Sequence, residues 1–83
     1  MSHQILIVEK ALDELGRLSR DDYNLVTAVI RALSQEPHRS GGLRLVGDND
    51  QHRRVGNYRL VYEVDDARQV ITVLHVGRRR NAR

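Results

Sequence analysis

The 83-residue chain has no cysteine, tryptophan or phenylalanine, and only one proline and one lysine. Without cysteine, neither disulfides nor thiolate metal sites can brace the fold, and nothing implies an oxidising compartment, so the cytoplasm is the expected location. Long hydrophobic runs are missing too. The longest are Ile5 to Val8 and the interrupted stretch Val70 to Val76, both too short to span a bilayer. No series of charged, apolar and small residues marks a signal peptide, and no membrane partner is expected. The four histidines, His3, His38, His52 and His75, include no i, i+4 pair, so a metal site is not expected, and no cofactor is indicated. Repeats, low-complexity tracts and linkers are also absent, so residues 1–83 read as a single domain. A chain of this size buries only ~60 to 65% of the surface exposed when unfolded, so its stability is modest and a partner could add to it.

Arginine is what the chain has in quantity: thirteen of the fourteen basic residues. The net charge of +3 hides an asymmetry, because residues 1–37 hold four Lys/Arg against six Asp/Glu, while residues 38–83 hold ten Arg against five acids. The planar guanidinium fork binds phosphate bidentately and stays charged, so the second half suits a polyanion such as RNA or DNA. A solvated basic face is the other reading of the same charge.

Gln4 to Val8 is an apolar run rich in β-branched residues and reads as a buried strand. Ala11, Leu12, Leu15 and Leu18 then recur at helical spacing, with Glu9, Lys10, Asp13, Glu14 and Arg17 on the other side. Ser19 with Asp22 three residues on resembles a capping box and predicts the start of a second helix. Its stripe is Leu25, Val26, Val29, Ile30 and Leu33. Pro37 biases Glu36 away from helical geometry, which ends the helix at about residue 35. After a loop at 37–42, a short extended piece at 43–47 and a turn at 48–51, the rest reads as strand. Residues 52–55 and 58–65 flank Gly56-Asn57, a pair suited to a two-residue hairpin turn because both tolerate positive φ. Residues 69–76 are nearly continuous in apolar character and predict a central strand. The fold class is α+β: an N-terminal strand, an αα-hairpin and a three-stranded antiparallel meander, with both helices on one face of the sheet.

If Gly56-Asn57 is the turn, Arg54 faces Arg59, His52 faces Val61 and Asp50 faces Glu63, all on one side of the sheet. A turn at Asp66-Ala67 would place Leu74 and Thr72 beside Arg59 and Val61. The core face then collects Tyr58, Leu60, Tyr62, Val64, Ile71 and Val73, with His75 opposite Tyr58. Two arginines directly opposite one another repel unless acids or a bound anion offset them. Glu63 lies roughly 13 Å along the same face from Arg59, far for a direct pair, and a phosphate would answer better. The alternative is that both arginines splay into water.

The order of elements, with "RVGNYRLVYEV" followed by "VITVLHVGRRR", resembles the RelE/ParE superfamily of bacterial toxins over nearly the whole chain. The sharpest matches are Arg54, Gly56, Tyr58, Arg59 and Tyr62, then Val76, Gly77 and Arg79; "LRLVG" resembles a further family segment, with Val46 where a basic residue is common. The resemblance implies the toxin of a type II toxin-antitoxin system, neutralised by a cognate antitoxin. For the RelE branch it implies a ribosome-dependent endoribonuclease that cuts mRNA in the decoding site and inhibits translation. There a ribose 2′-hydroxyl attacks the adjacent phosphate, so the site must supply a proton acceptor, a proton donor for the leaving 5′ oxygen and positive charge.

By position, Arg59 and Arg79 resemble the family's phosphate-binding arginines, and Arg54 is a further candidate on the same face. The lysine pair of the RNase branch is replaced by Asp50 and His52, of which His52 is the candidate base. The family's C-terminal tyrosine has no counterpart before Arg83. Arg44, Arg53, Arg78, Arg80 and Arg83 are candidate RNA contacts, with the C-terminal arginines suited to a salt-sensitive anchor on ribosomal RNA. Strict strand parity would put Arg78 and Arg80, not Arg79, on the face of Arg59, unless Gly77 breaks it. Two other readings remain open: a ParE-like inhibitor that binds DNA gyrase, and a non-toxic member that binds only antitoxin or RNA.

Overall fold

The computed structural model of the chain describes residues 3–36, 42–44 and 50–78. Its elements are β1 (Gln4–Ile7), α1 (Glu9–Gly16), α2 (Arg20–Gln35), β2 (Gly42–Arg44), β3 (Asp50–Val55), β4 (Tyr58–Asp65) and β5 (Val70–Arg78). They form a five-stranded sheet in the order β1-β5-β4-β3-β2. The extended piece before β3 therefore joins the sheet, so the expected three-stranded meander has a fourth strand. β5 is interior, as its apolar run predicts, because β1 pairs with it in parallel along its other side.

The helix boundaries follow local chemistry. Ser19 Oγ accepts the Asp22 backbone N–H at 3.2 Å, and Asp21 and Asp22 place negative charge in the first turn of α2, where the exposed N–H groups are positive. At the far end Glu36 leaves helical geometry at φ −137°, ψ 74°, as a following proline requires.

Both helices pack on one face of the sheet. The core is Ala11 and Leu15 of α1, Val26, Ile30 and Leu33 of α2, and Val55, Tyr58, Leu60, Tyr62, Ile71, Val73 and Val76 of the strands. Of the helical-stripe residues outside it, Leu18 and Val29 pack against it partly buried, whereas Leu12 and Leu25 are 53% and 46% exposed. The buried stripe of α1 is the i, i+4 pair Ala11 and Leu15, and Leu12 is one step of about 100° away from Ala11. Leu25 is offset from Val26 in the same way, though its Cδ2 is the nearest side-chain atom to a Cβ built on Gly56, at 3.2 Å. β1 is an edge strand and not a buried one. Ile5 and Ile7 pack against the core while Leu6 is largely exposed.

The β3–β4 hairpin has the register expected from Gly56-Asn57, including Arg54 opposite Arg59 and His52 opposite Val61. Only Gly56 takes a positive φ, 57°. That is the pattern of a turn with glycine at its first central position, and Asn57 needs no left-handed backbone.

The β4–β5 register differs from expectation. The chain turns through four residues, 66–69, and Arg59 pairs with Gly77, Val61 with His75 and Val64 with Ile71, with a β-bulge opposite Val61/Tyr62. Gln69 closes this turn at φ 58°, and Asp65 Oδ1 accepts the Arg68 N–H at 3.1 Å. An Asx-type turn followed by a left-handed residue stands where a two-residue turn was expected. Leu74 and Thr72 are thus not the neighbours of Arg59 and Val61. Thr72 lies opposite Glu63 instead.

Candidate active face of the sheet

Side chains alternate across a strand, so the residues between the core positions of β3, β4 and β5 share the face turned away from the helices. In a two-residue hairpin the pair closing the turn exchanges both hydrogen bonds. The next pair, Arg54 and Arg59, is therefore of the non-bonded kind, about 4.5 Å apart at Cα with side chains close together. Gly77 lies beside Arg59 on β5 and completes a row Arg54–Arg59–Gly77 across three strands. The next row on this face is His52–Val61–His75. Arg54 and Arg59 are exposed and His52 is half-buried. Neither arginine forms an ion pair among the described residues, so two like charges meet with nothing between them.

Glycine at position 77 has a steric reason. A Cβ there would overlap the His75 ring, which occupies the space above the Gly77 backbone. This corrects the expected place of His75, which is not opposite Tyr58 but beside Val61, two residues along the strand from Gly77. Its Nδ1 lies 2.8 Å from Glu14 Oε2 of α1, and Lys10 Nζ is 3.2 Å from the same nitrogen. The other Glu14 oxygen accepts the Val76 backbone N–H at 2.7 Å. β1 pairs with β5 only as far as Val73, so this carboxylate satisfies a strand donor that β1 does not reach.

Of the remaining basic candidates, Arg53 and Arg78 are not on this face. Arg53 alternates with Arg54 and lies on the helix side, hydrogen-bonded to the Tyr62 phenol. Burial pushes that phenol above its ordinary range, and the Arg53 charge and hydrogen bond pull partly the other way. Tyr62 Oη also donates to Gln51 Oε1 at 3.4 Å. Arg78 pairs with Tyr58 and holds its guanidinium 6.0 Å from the centre of the Tyr58 ring, so it does not share the Arg59 face as strict parity suggested. Tyr58 Oη in turn donates to Asp22 Oδ2 at 2.9 Å, which ties the hairpin to the start of α2. Arg44 stands in β2 opposite Gln51. Arg79, Arg80 and Arg83 lie outside the described residues, as do His38 and Val46. Among the described residues no cluster of His, Cys, Asp or Glu could hold a metal, and no helix is long and apolar enough to cross a membrane.

Glu14 is the residue that sequence reasoning missed. It was assigned to the solvent side of α1, and nothing in a 3.6-residue pattern connects it to a strand 61 residues away.

A model of the ParE toxin of type II toxin-antitoxin systems matches residues 5–83. The chain belongs to this family. It is the toxin component of the RelE/ParE superfamily, and solved structures agree with the assignment. The toxin-antitoxin complex RelBE2 from Mycobacterium tuberculosis contains a chain 28% identical, with a TM-score of 0.81, covering 95% of this toxin and 100% of that chain. The archaeal RelE-RelB complex from Pyrococcus horikoshii gives 26% identity and a TM-score of 0.83, covering 99% and 100%. The isolated Escherichia coli RelE toxin shares the fold at a TM-score of 0.86 and 23% identity, over 98% of this chain and 88% of that one. No curated protein matches the sequence.

Proposed function

We propose that this toxin is a RelE-like endoribonuclease that cuts mRNA on the ribosome and so inhibits translation. The observation that carries the reading is the row Arg54–Arg59–Gly77, where two exposed arginines with no ion pair among the described residues are direct cross-strand neighbours. A phosphodiester suits this place. It offsets the repulsion between the arginines, accepts bidentate hydrogen bonds from both, and comes within reach of the His75 ring above Gly77. In the reaction, the 2′-hydroxyl loses its proton to His52 as O2′ attacks phosphorus, and the charge gathering on the phosphorane oxygens is stabilised by Arg59 and Arg54. Arg79 is a further candidate phosphate contact, and Arg44, Arg78, Arg80 and Arg83 are candidate ribosome contacts. Arg53 is engaged by Tyr62 and contributes less.

The natural partner in this reading is an antitoxin, as in the RelB complexes of the similar solved structures. Charge favours an acidic segment that covers the Arg54/Arg59 face or displaces a helix beside it.

A second reading is a ParE-like toxin that binds DNA gyrase and cleaves nothing. The matching family model is that of ParE, and Asp50 and His52 stand where the RNase branch has lysines. Induced expression separates the two. The nuclease reading expects translation to stop with mRNA cut at the decoding site. Arrested replication with intact mRNA would sink it and favour gyrase.

A further inference from the structure

We propose that His75, held by Glu14, is the general acid of the cleavage reaction, delivering a proton from Nε2 to the leaving 5′ oxygen. This rests on the nuclease reading above and adds the proton donor for the leaving oxygen that reading leaves unassigned.

Nδ1 lies 2.8 Å from Glu14 Oε2, an ion-pair contact for the protonated ring, and Lys10 Nζ lies 3.2 Å from the same nitrogen, where it donates to the neutral ring. In the imidazolium, which is the form a general acid uses, the Nδ1 side of the ring therefore faces Glu14. Glu14 is itself anchored by the Val76 N–H at 2.7 Å, and its side chain is 18% exposed, so the carboxylate is a fixed post for the ring. Nε2 is then the nitrogen free for proton transfer. It lies over Gly77, which pairs with Arg59, so it is at the row where a phosphate is proposed to sit.

His52 is on the far side of Val61, two strand spacings from His75 or about 10 Å at the backbone. In-line displacement needs its base and acid on opposite sides of phosphorus, and two histidines flanking one strand can meet that need. The charged groups around His75 are Glu14 and Lys10 of α1, Arg59 of β4 and, beyond Val61, His52 of β3. Arg78 is drawn off to Tyr58.

His52 takes the 2′-hydroxyl proton, the O2′–P bond forms and the P–O5′ bond breaks. O5′ takes the proton from Nε2 of the His75 imidazolium, while the Nδ1 proton stays on the ring beside Glu14. The products are a 2′,3′-cyclic phosphate and a 5′-hydroxyl, and exchange with water resets both rings.

The test uses the full chain with programmed ribosomes and two mRNAs, one natural and one carrying sulfur in place of the bridging 5′ oxygen at the cleaved linkage. A thiolate leaves without help from an acid. His75→Gln is expected to cut natural mRNA ~10² to 10⁴ times more slowly than the parent, and to cut the sulfur-bridged mRNA within a few-fold of it. Equal loss on both substrates would make His75 structural, and no loss on either would remove it from the chemistry; either result overturns the proposal. If the parent cuts neither substrate, the nuclease reading itself fails and takes the proposal with it.

Discussion

Along β4, Tyr58, Leu60 and Tyr62 are buried against the helices, whereas their immediate neighbours Arg59 and Glu63 stand in solvent. The same three strands thus carry two surfaces with opposite requirements. On the inner face the large side chains pack into one core cluster, and the polar atoms of Tyr58 and Tyr62 find Asp22, Gln51 and Arg53. On the outer face two arginines are cross-strand neighbours with no ion pair among the described residues, a histidine lies beside a helix carboxylate at the strand edge, and a glycine leaves room for its ring. A face chosen for stability would not place two like charges in a close cross-strand pair. The proposed function accounts for the pair: a bound phosphate offsets a repulsion that packing does not require.

The sharpest way to break this contrast is to exchange one residue on each face. Arg59→Ala is expected to lower cleavage of ribosome-bound mRNA by about 10² to 10³, the usual loss when one charge-stabilising group is removed, with little change in melting temperature. Leu60→Ala removes a side chain with no exposed surface and is expected to cost about 2 to 5 kcal/mol of stability, a large share of what a small domain has. Equal losses of melting temperature in the two variants would show that the faces do not divide the work this way.

Gly77→Ala probes the outer face more finely. The added Cβ overlaps the end of the His75 side chain, which can swing away into solvent, so the fold is expected to lose no more than about 1 kcal/mol. Displacing the ring is expected to lower cleavage by about 10²-fold. Chemical denaturation beside single-turnover cleavage reads both numbers. A large stability loss with normal cleavage would mean that the glycine serves the backbone and not the site.

On the inner face the matching test is alkaline. Burial raises the Tyr62 pKa above the unfolded value of 10.0, although Arg53 opposes part of the shift. The folded state therefore holds the phenol proton more tightly. This stabilisation is full below the unfolded pKa and is lost as the pH rises from there through the folded value. Raising the pH from about 9 to about 11 is expected to lower the melting temperature of the parent more than that of Tyr62→Phe. Parallel curves would show that another group governs alkaline unfolding.

The smallest effect belongs to the turn that joins the two longest strands. Gln69 sits at φ 58°, where glycine bears no Cβ penalty, so Gln69→Gly is expected to stabilise by up to about 1 kcal/mol. Unchanged or lowered stability in urea melts would indicate that the Gln69 side chain contributes more than its backbone strain removes.

What the sequence determined by itself is what local rules govern. Ser19 with Asp22 set the start of α2, and Pro37 set its end. Gly56-Asn57 set the β3–β4 register, and with it the meeting of Arg54 and Arg59, because a two-residue turn leaves no freedom of alignment. Period-2 alternation then divided β4 into its two faces, and Val26, Ile30 and Leu33 could be read as core from helical spacing.

Tertiary structure decided the rest. The β4–β5 register moved because a four-residue turn with a left-handed glutamine has no glycine to announce it, and a bulge farther along shifted the pairing once more. That put His75 beside Val61 and sent Arg78 to Tyr58. Leu12 and Leu25 looked like core because periodicity marks an apolar side of a helix without stating how wide a stripe the sheet will cover. Glu14 could not be read at all. Its partners, Val76 and His75, are more than 60 residues away, and its place depends on β1 pairing with β5 only as far as Val73, leaving a backbone donor that a helix carboxylate alone was near enough to meet.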